Sequence, residues 1–189
     1  MPVAHGTVEG LRAAEEQEPG FQDRENGRDG NEDEGRIGTM LKGVDARLNA
    51  DVLFALRAMG HGDVLILADT NFPAESVAHD TVLGDLLRME NLTAAEAADA
   101  VLSVMPLDTF VDDFAGRMEV VDDPDTVPPV QEEVQAAIDR AEGKPRPMVS
   151  IERFAFYDLA RESFAVIQTG ERRFYGCFMF RKGVIPPVE

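Results

Sequence analysis

Residues 60–74 read Gly60-His61-Gly62-Asp63-Val64-Leu65-Ile66-Leu67-Ala68-Asp69-Thr70-Asn71-Phe72-Pro73-Ala74. The run from Val64 to Ala68 is continuously apolar rather than alternating, which is the pattern of a strand covered on both faces. Such strands belong to parallel or mixed sheets with helices above and below. Upstream, Asn49 is a candidate N-cap for a helix over Ala50 to Met59, in which Val52, Leu53, Leu56 and Met59 recur at helical spacing before Gly60 stops it. A helix that feeds a buried strand ending in a polar turn is the start of a layered α/β unit.

The rest of the chain continues that alternation. Thr93 and Glu96 form a capping box ahead of a helix running to about Met105, where Pro106 ends it. Arg117 to Val121 is a candidate strand, and Asp122 to Pro129 an acidic, proline-rich loop. Pro129 opens a helix over Val130 to Glu142 that Gly143 terminates. Met148 to Ile151 reads as a strand, Phe154 to Ser163 as a helix or turn, and Phe164 to Gln168 as a further strand. After a turn at 169–173, Phe174 to Arg181 alternates strictly. A period of two places Tyr175, Cys177 and Met179 on one face and Phe174, Gly176, Phe178 and Phe180 on the other. Helices alternating with buried strands favour a layered α/β domain over a β-sandwich or a helix bundle.

Composition narrows the function classes. The 189 residues are 44% hydrophobic, enough for one packed core. Lys and Arg number 18 against 36 Asp and Glu, a net charge of −18, so nucleic acid and anionic membrane surfaces are excluded as partners. The apolar runs are too short to cross a bilayer, and Met1 to Ala14 has no apolar stretch of the secretory kind, so the expected location is cytoplasmic. The single cysteine, Cys177, cannot form an intrachain disulfide, and no Cys/His spacing suits zinc. Residues 1–39 carry ten acidic and four basic residues and few large apolar ones. They are expected to form a disordered acidic extension, with Met40 as a plausible natural start and residues 40–189 as the single domain.

The densest polar constellation flanks the buried strand. Glycines on both sides of His61 leave its imidazole on a backbone a ligand can approach closely, and Asp69 sits at the strand's carboxyl end, where open α/β sheets bind ligands. On the residues alone, a His after a helix is more often a cap or a satisfied core residue than a proton donor. Asp63 reads as a turn residue, and His79 and His5 as surface residues. His61, Asp63 and Asp69 flank a strand without a second nearby histidine, so no metal site is expected. Neither a phosphate-cradling glycine loop nor a nucleophile elbow is present.

Several multi-residue blocks, in order, resemble one family. They are Ala58-Met59-Gly60-His61-Gly62-Asp63, Leu67-Ala68-Asp69-Thr70-Asn71-Phe72-Pro73-Ala74, Ile151-Glu152-Arg153-Phe154-Ala155-Phe156-Tyr157, Thr169-Gly170-Glu171-Arg172-Arg173-Phe174-Tyr175-Gly176 and Arg181-Lys182-Gly183-Val184. Together they resemble the fucose mutarotase and ribose pyranase family (RbsD/FucU), on its fucose side, from about Met40 to Val184. The resemblance implies a three-layer α/β/α sandwich with a mixed sheet, and an isomerase that interconverts the anomers of a free monosaccharide, L-fucose foremost, without cofactor or metal. It implies His61 as general acid, with Asp69, Arg153, Tyr175, Gly176 and Cys177 contacting the sugar. It also implies a homo-oligomer, decamers being known, with sites near subunit contacts.

Two departures stand out. The family has Asn where this chain has Cys177, and an Arg-Ala-Asp-Gly block where this chain has Arg88-Met89-Glu90-Asn91, after a divergent segment from Glu75 to Leu87. Read without the family, Arg153 is a surface partner of Glu152 or Asp158, Tyr175 a half-buried strand aromatic, and Cys177 a small core filler. Two alternatives to a fucose mutarotase remain open, a sugar binder without turnover and a pyranose–furanose isomerase of ribose.

Overall fold

The computed structural model describes residues 41–187. The acidic extension expected over residues 1–39, the start at Met40 and His5 lie outside the described residues. Six strands form one mixed sheet in the order β2-β5-β1-β6-β3-β4. At its centre β1 (Val64–Ala68) pairs in parallel with β5 (Ala165–Thr169) and antiparallel with β6 (Phe178–Arg181). Beyond β5 lies β2 (Leu87–Met89), and beyond β6 come β3 (Ala115–Met118) and β4 (Val149–Ile151). Only β6 runs against the rest.

The apolar run at Val64–Ala68 is continuous because both faces of β1 are covered. Leu65 and Leu67 point into one core, shared with α1 (Ala50–Ala58), α3 (Ala94–Leu102) and α4 (Pro129–Glu142). Val64, Ile66 and Ala68 point into a second core, under α2 (Ala74–Ala78) and α5 (Arg153–Arg161). Two apolar clusters on opposite faces of one sheet make the expected three-layer α/β/α sandwich.

Local chemistry sets the helix ends. The Asn49 side chain accepts from the Val52 N–H, and the Thr93–Glu96 capping box closes in both directions. Gly143 ends α4 at φ 67°, a conformation that suits glycine.

The element boundaries differ from expectation in three places. The third strand covers Ala115–Met118 rather than Arg117–Val121, because β4 and β6 pair with the chain there before it turns through Asp122 at φ 62°. That packing needs Gly116, where a Cβ would stand 2.5 Å from Ile151 Cδ1. The helix α3 ends at Leu102, three residues before Met105. The last strand begins at Phe178 rather than Phe174, because Tyr175 takes φ 61° and leaves the ladder. The short α2 and the edge strand β2 have no counterpart in the sequence reading. Among the described residues no helix is long and apolar enough to cross a membrane.

Candidate active site

At the carboxyl end of β1 the chain turns sharply through Asp69-Thr70-Asn71-Phe72. The buried Asp69 carboxylate organises that turn: Oδ1 accepts from the backbone N–H groups of Asn71 (2.9 Å) and Phe72 (3.1 Å). Oδ2 accepts from the Gly176 N–H at 3.1 Å. Three backbone donors hold the carboxylate in one orientation.

Gly176 can come this close because it has no side chain. A Cβ there would lie 2.7 Å from Glu171 Cγ and 3.2 Å from Asp69 Cβ. Burial pushes the Cys177 thiol well above its ordinary range, and the adjacent Asp69 charge adds to the effect, so the sulfur stays protonated against the carboxylate.

The loop that carries Tyr175, Gly176 and Cys177 is tied down by a buried acid. Glu171, 3% exposed, accepts from the Arg173 backbone N–H and from the Arg173 guanidinium at 2.9 and 2.8 Å. The Arg173 guanidinium holds the carboxyl down to about 2. Arg173 also makes a two-pronged bridge to Glu133 at 2.7 and 2.8 Å, which joins the loop to α4.

A third wall comes from the start of α5. The Glu152 carboxylate caps that helix by accepting from the Phe154 and Ala155 N–H groups, and Asp158 pairs with Arg161 at 2.9 Å. Neither acid takes Arg153. Its exposed guanidinium instead lies 5.7 Å from the centroid of the Tyr157 ring, one helical turn on. Tyr157 stacks on Phe72 with centroids 5.1 Å apart and planes 11° from parallel.

These elements enclose a cavity of about 390 Å³ lined by Asp69, Asn71, Phe72, Met118, Arg153, Tyr157, Phe174, Tyr175 and Cys177. Asp69, Arg153, Tyr175 and Cys177 are thus brought together from distant parts of the chain, with Gly176 behind the carboxylate it caps. Cys177 is at once buried, 2% exposed, and part of the cavity wall. Asn71, Phe72, Met118, Tyr157 and Phe174 join them as residues the sequence reading assigned no role. Tyr157 had a signal, the i+4 spacing from Arg153. Met118 and Phe174 had none.

His61 is not in this cavity. It precedes β1, at the opposite end of that strand, and the five residues of β1 span about 16 Å. There His61 Nε2 lies 3.0 Å from Oδ2 of Asp108, an acid whose side chain is 6% exposed while the imidazole is half exposed. Asp108 Oδ1 accepts from the Phe110 N–H, and the Phe110 ring meets the imidazole edge-on at 6.3 Å. This contact orients the ring. Asp63 is the turn residue expected, accepting from the Gly60 N–H at 2.6 Å. Gly62 takes φ 86°, and His79 is exposed.

A mixed α/β/α sandwich thus places a carboxylate, a guanidinium and stacked aromatic rings at the carboxyl end of its central strand, the position at which open α/β sheets offer a ligand site. The chain belongs to the family described as the RbsD / FucU transport protein family, which matches residues 42–185. It is 42% identical over 148 residues to the fucose mutarotase of Homo sapiens, covering 77% of this chain and 94% of that one. The crystal structure of protein Atu2016 superposes with a TM-score of 0.76 at 60% identity, covering 78% of this chain and 97% of that one. The fucose mutarotase from Streptococcus pneumoniae, solved in complex with L-fucose, superposes with a TM-score of 0.69 at 31% identity, covering 77% and 100% of the two chains.

Proposed function

We propose that the protein is a mutarotase that interconverts the α and β anomers of a free monosaccharide, L-fucose foremost, by ring opening and closure. The observation that carries this reading is the convergence of Asp69, Arg153, Tyr175 and Cys177, up to 108 positions apart, on one cavity of about 390 Å³. Similarity to fucose mutarotases over three quarters of the chain supports the choice of sugar.

The chemistry is modest and needs few groups. The C1–O5 bond breaks as a proton reaches the ring oxygen and another passes from the anomeric hydroxyl to water, and closure on the other face of the aldehyde reverses both transfers and inverts C1. Asp69 accepts from sugar hydroxyls, Arg153 donates to them, and the Phe72, Tyr157 and Phe174 rings cover the apolar face of the sugar. His61 supplies the proton, its imidazole oriented by Asp108. General acid–base catalysis of this kind is worth ~10²–10⁴-fold.

A single subunit keeps the acid and the cavity apart, so the proposal includes a cytoplasmic homo-oligomer in which a neighbouring copy brings His61 to the cavity. Residues 40–189 are proposed to be the sugar domain, with residues 1–39 an appendage to it. The family's decamers are the expected assembly size. The same separation favours, as a second reading, a sugar binder without turnover.

Exchange NMR of L-fucose at substoichiometric protein separates the two. A mutarotase accelerates exchange between the anomeric signals, and His61→Ala loses most of that acceleration while staying folded. Binding without acceleration would leave the second reading.

A further inference from the structure

Gln131 stands out in α4. Its neighbours on the inner face of the helix are Val130, Val134, Ala137 and Ile138, and it is itself fully buried. An amide in an apolar layer is unfavourable unless its donors and acceptor are all engaged. Here they are. Nε2 donates to the backbone carbonyls of Met118 (2.7 Å) and Tyr175 (3.0 Å), and Oε1 accepts from Arg117 Nη1 at 3.0 Å.

Both carbonyls belong to residues of the cavity wall, one from the end of β3 and one from the loop before β6. Tyr175 is also one of two non-glycine described residues with positive φ, a conformation costing ~1–3 kcal/mol that surrounding contacts must hold. Besides the Gln131 bond, the Tyr175 hydroxyl accepts from the Val121 N–H at a long 3.4 Å. One residue later, Gly176 donates to Asp69.

We infer that Gln131 is a positioning residue for the sugar site: its amide clamps Tyr175 in the left-handed conformation at a fixed distance from Met118, and so aims the Gly176 N–H at Asp69. The inference deepens the mutarotase reading and rests on it for its kinetic test. Because the amide acts on groups that hold the sugar and not on the proton donor, its loss affects binding more than turnover.

Gln131→Met keeps length and volume while removing both donors and the acceptor. The expected result is a KM for L-fucose raised about tenfold, the equivalent of one buried hydrogen bond, with kcat within about twofold. The Gly176 amide should also exchange with solvent faster. A folded variant with unchanged KM and unchanged Gly176 exchange overturns the inference. So does a lowered melting temperature with unchanged KM, the outcome of a packing role alone.

Should the variant not fold, the wild-type protein still decides. The side-chain amide signals of Gln131 should shift on saturation with L-fucose, and signals that stay put while the sugar binds overturn the inference. If the wild-type protein shows no mutarotase activity, the functional reading fails, whereas Gly176 exchange compared between the two proteins still tests the clamp.

Discussion

The position of His61 makes the assembly testable by mixing two dead variants. The imidazole and Asp69 flank opposite ends of β1, separated by about 16 Å of strand. A proton donor must come within about 3 Å of its acceptor, so His61 of one subunit cannot serve a sugar held by Asp69 of the same subunit. Asp69→Ala empties the carboxylate position and His61→Ala removes the acid, and each alone should fall to about 1% of wild-type acceleration or less. When the two are co-expressed in equal amounts, half of all cavities keep Asp69 and half of those receive an intact His61 from a neighbour. About a quarter of the sites are then complete, and activity should recover to about a quarter of wild type in symmetric assemblies. The assay is anomer exchange of L-fucose, on oligomers shown by native mass spectrometry to contain both chains. Mixed oligomers no more active than the mean of the two single variants would refute the shared site.

Cys177→Asn restores an amide to the cavity and should tighten L-fucose binding about two- to tenfold in a calorimetric titration, whereas a lower melting temperature with unaltered affinity would count against a sugar contact. Glu171 is held at about 2 in the folded protein by Arg173, against 4.5 ordinarily, so its contribution is full above about pH 4.5 and is lost as pH falls towards 2. With solvent screening at the half-exposed Arg173, that contribution is on the order of 1–2 kcal/mol. Urea melts of Glu171→Gln should show a flatter decline across this window, and an unchanged slope would remove the Glu171–Arg173 contact from the stability account. Gly170→Ala should cost at least ~2 kcal/mol, because a Cβ there runs into the Glu90 carbonyl, while Gly143→Ala, with open space but φ 67°, should cost about 1 kcal/mol. Chemical denaturation ranks the two, and equal losses would contradict the packing argument.

The elements legible in the sequence are those specified by local chemistry. Asn49 and Thr93 start their helices through their own side chains, Gly143 stops one because its φ is positive, and Val64–Ala68 is continuously apolar because both of its faces are covered. The alternation from Phe174 sorts Cys177 and Met179 from Phe178 and Phe180 into opposite cores, although the ladder begins only at Phe178. Nothing local announces β2, whose three residues are a strand only because β5 offers them an edge. The early start of β3 likewise follows from its pairing with β4 and β6.

The same division holds for the site. The sequence by itself determined a layered α/β chain with a net charge of −18 and a candidate carboxylate at the end of a buried strand, because periodicity, charge and the residues bounding a strand are properties of neighbours along the chain. Only the tertiary structure decided that Asp69 is fixed by Gly176 from 107 positions away, that Gln131 donates to the Tyr175 carbonyl, and that His61 pairs with Asp108 beyond the other end of β1. Those contacts join segments that meet through sheet order and helix packing, and short-range patterns in a sequence carry no record of which distant groups the closed fold brings within hydrogen-bond reach.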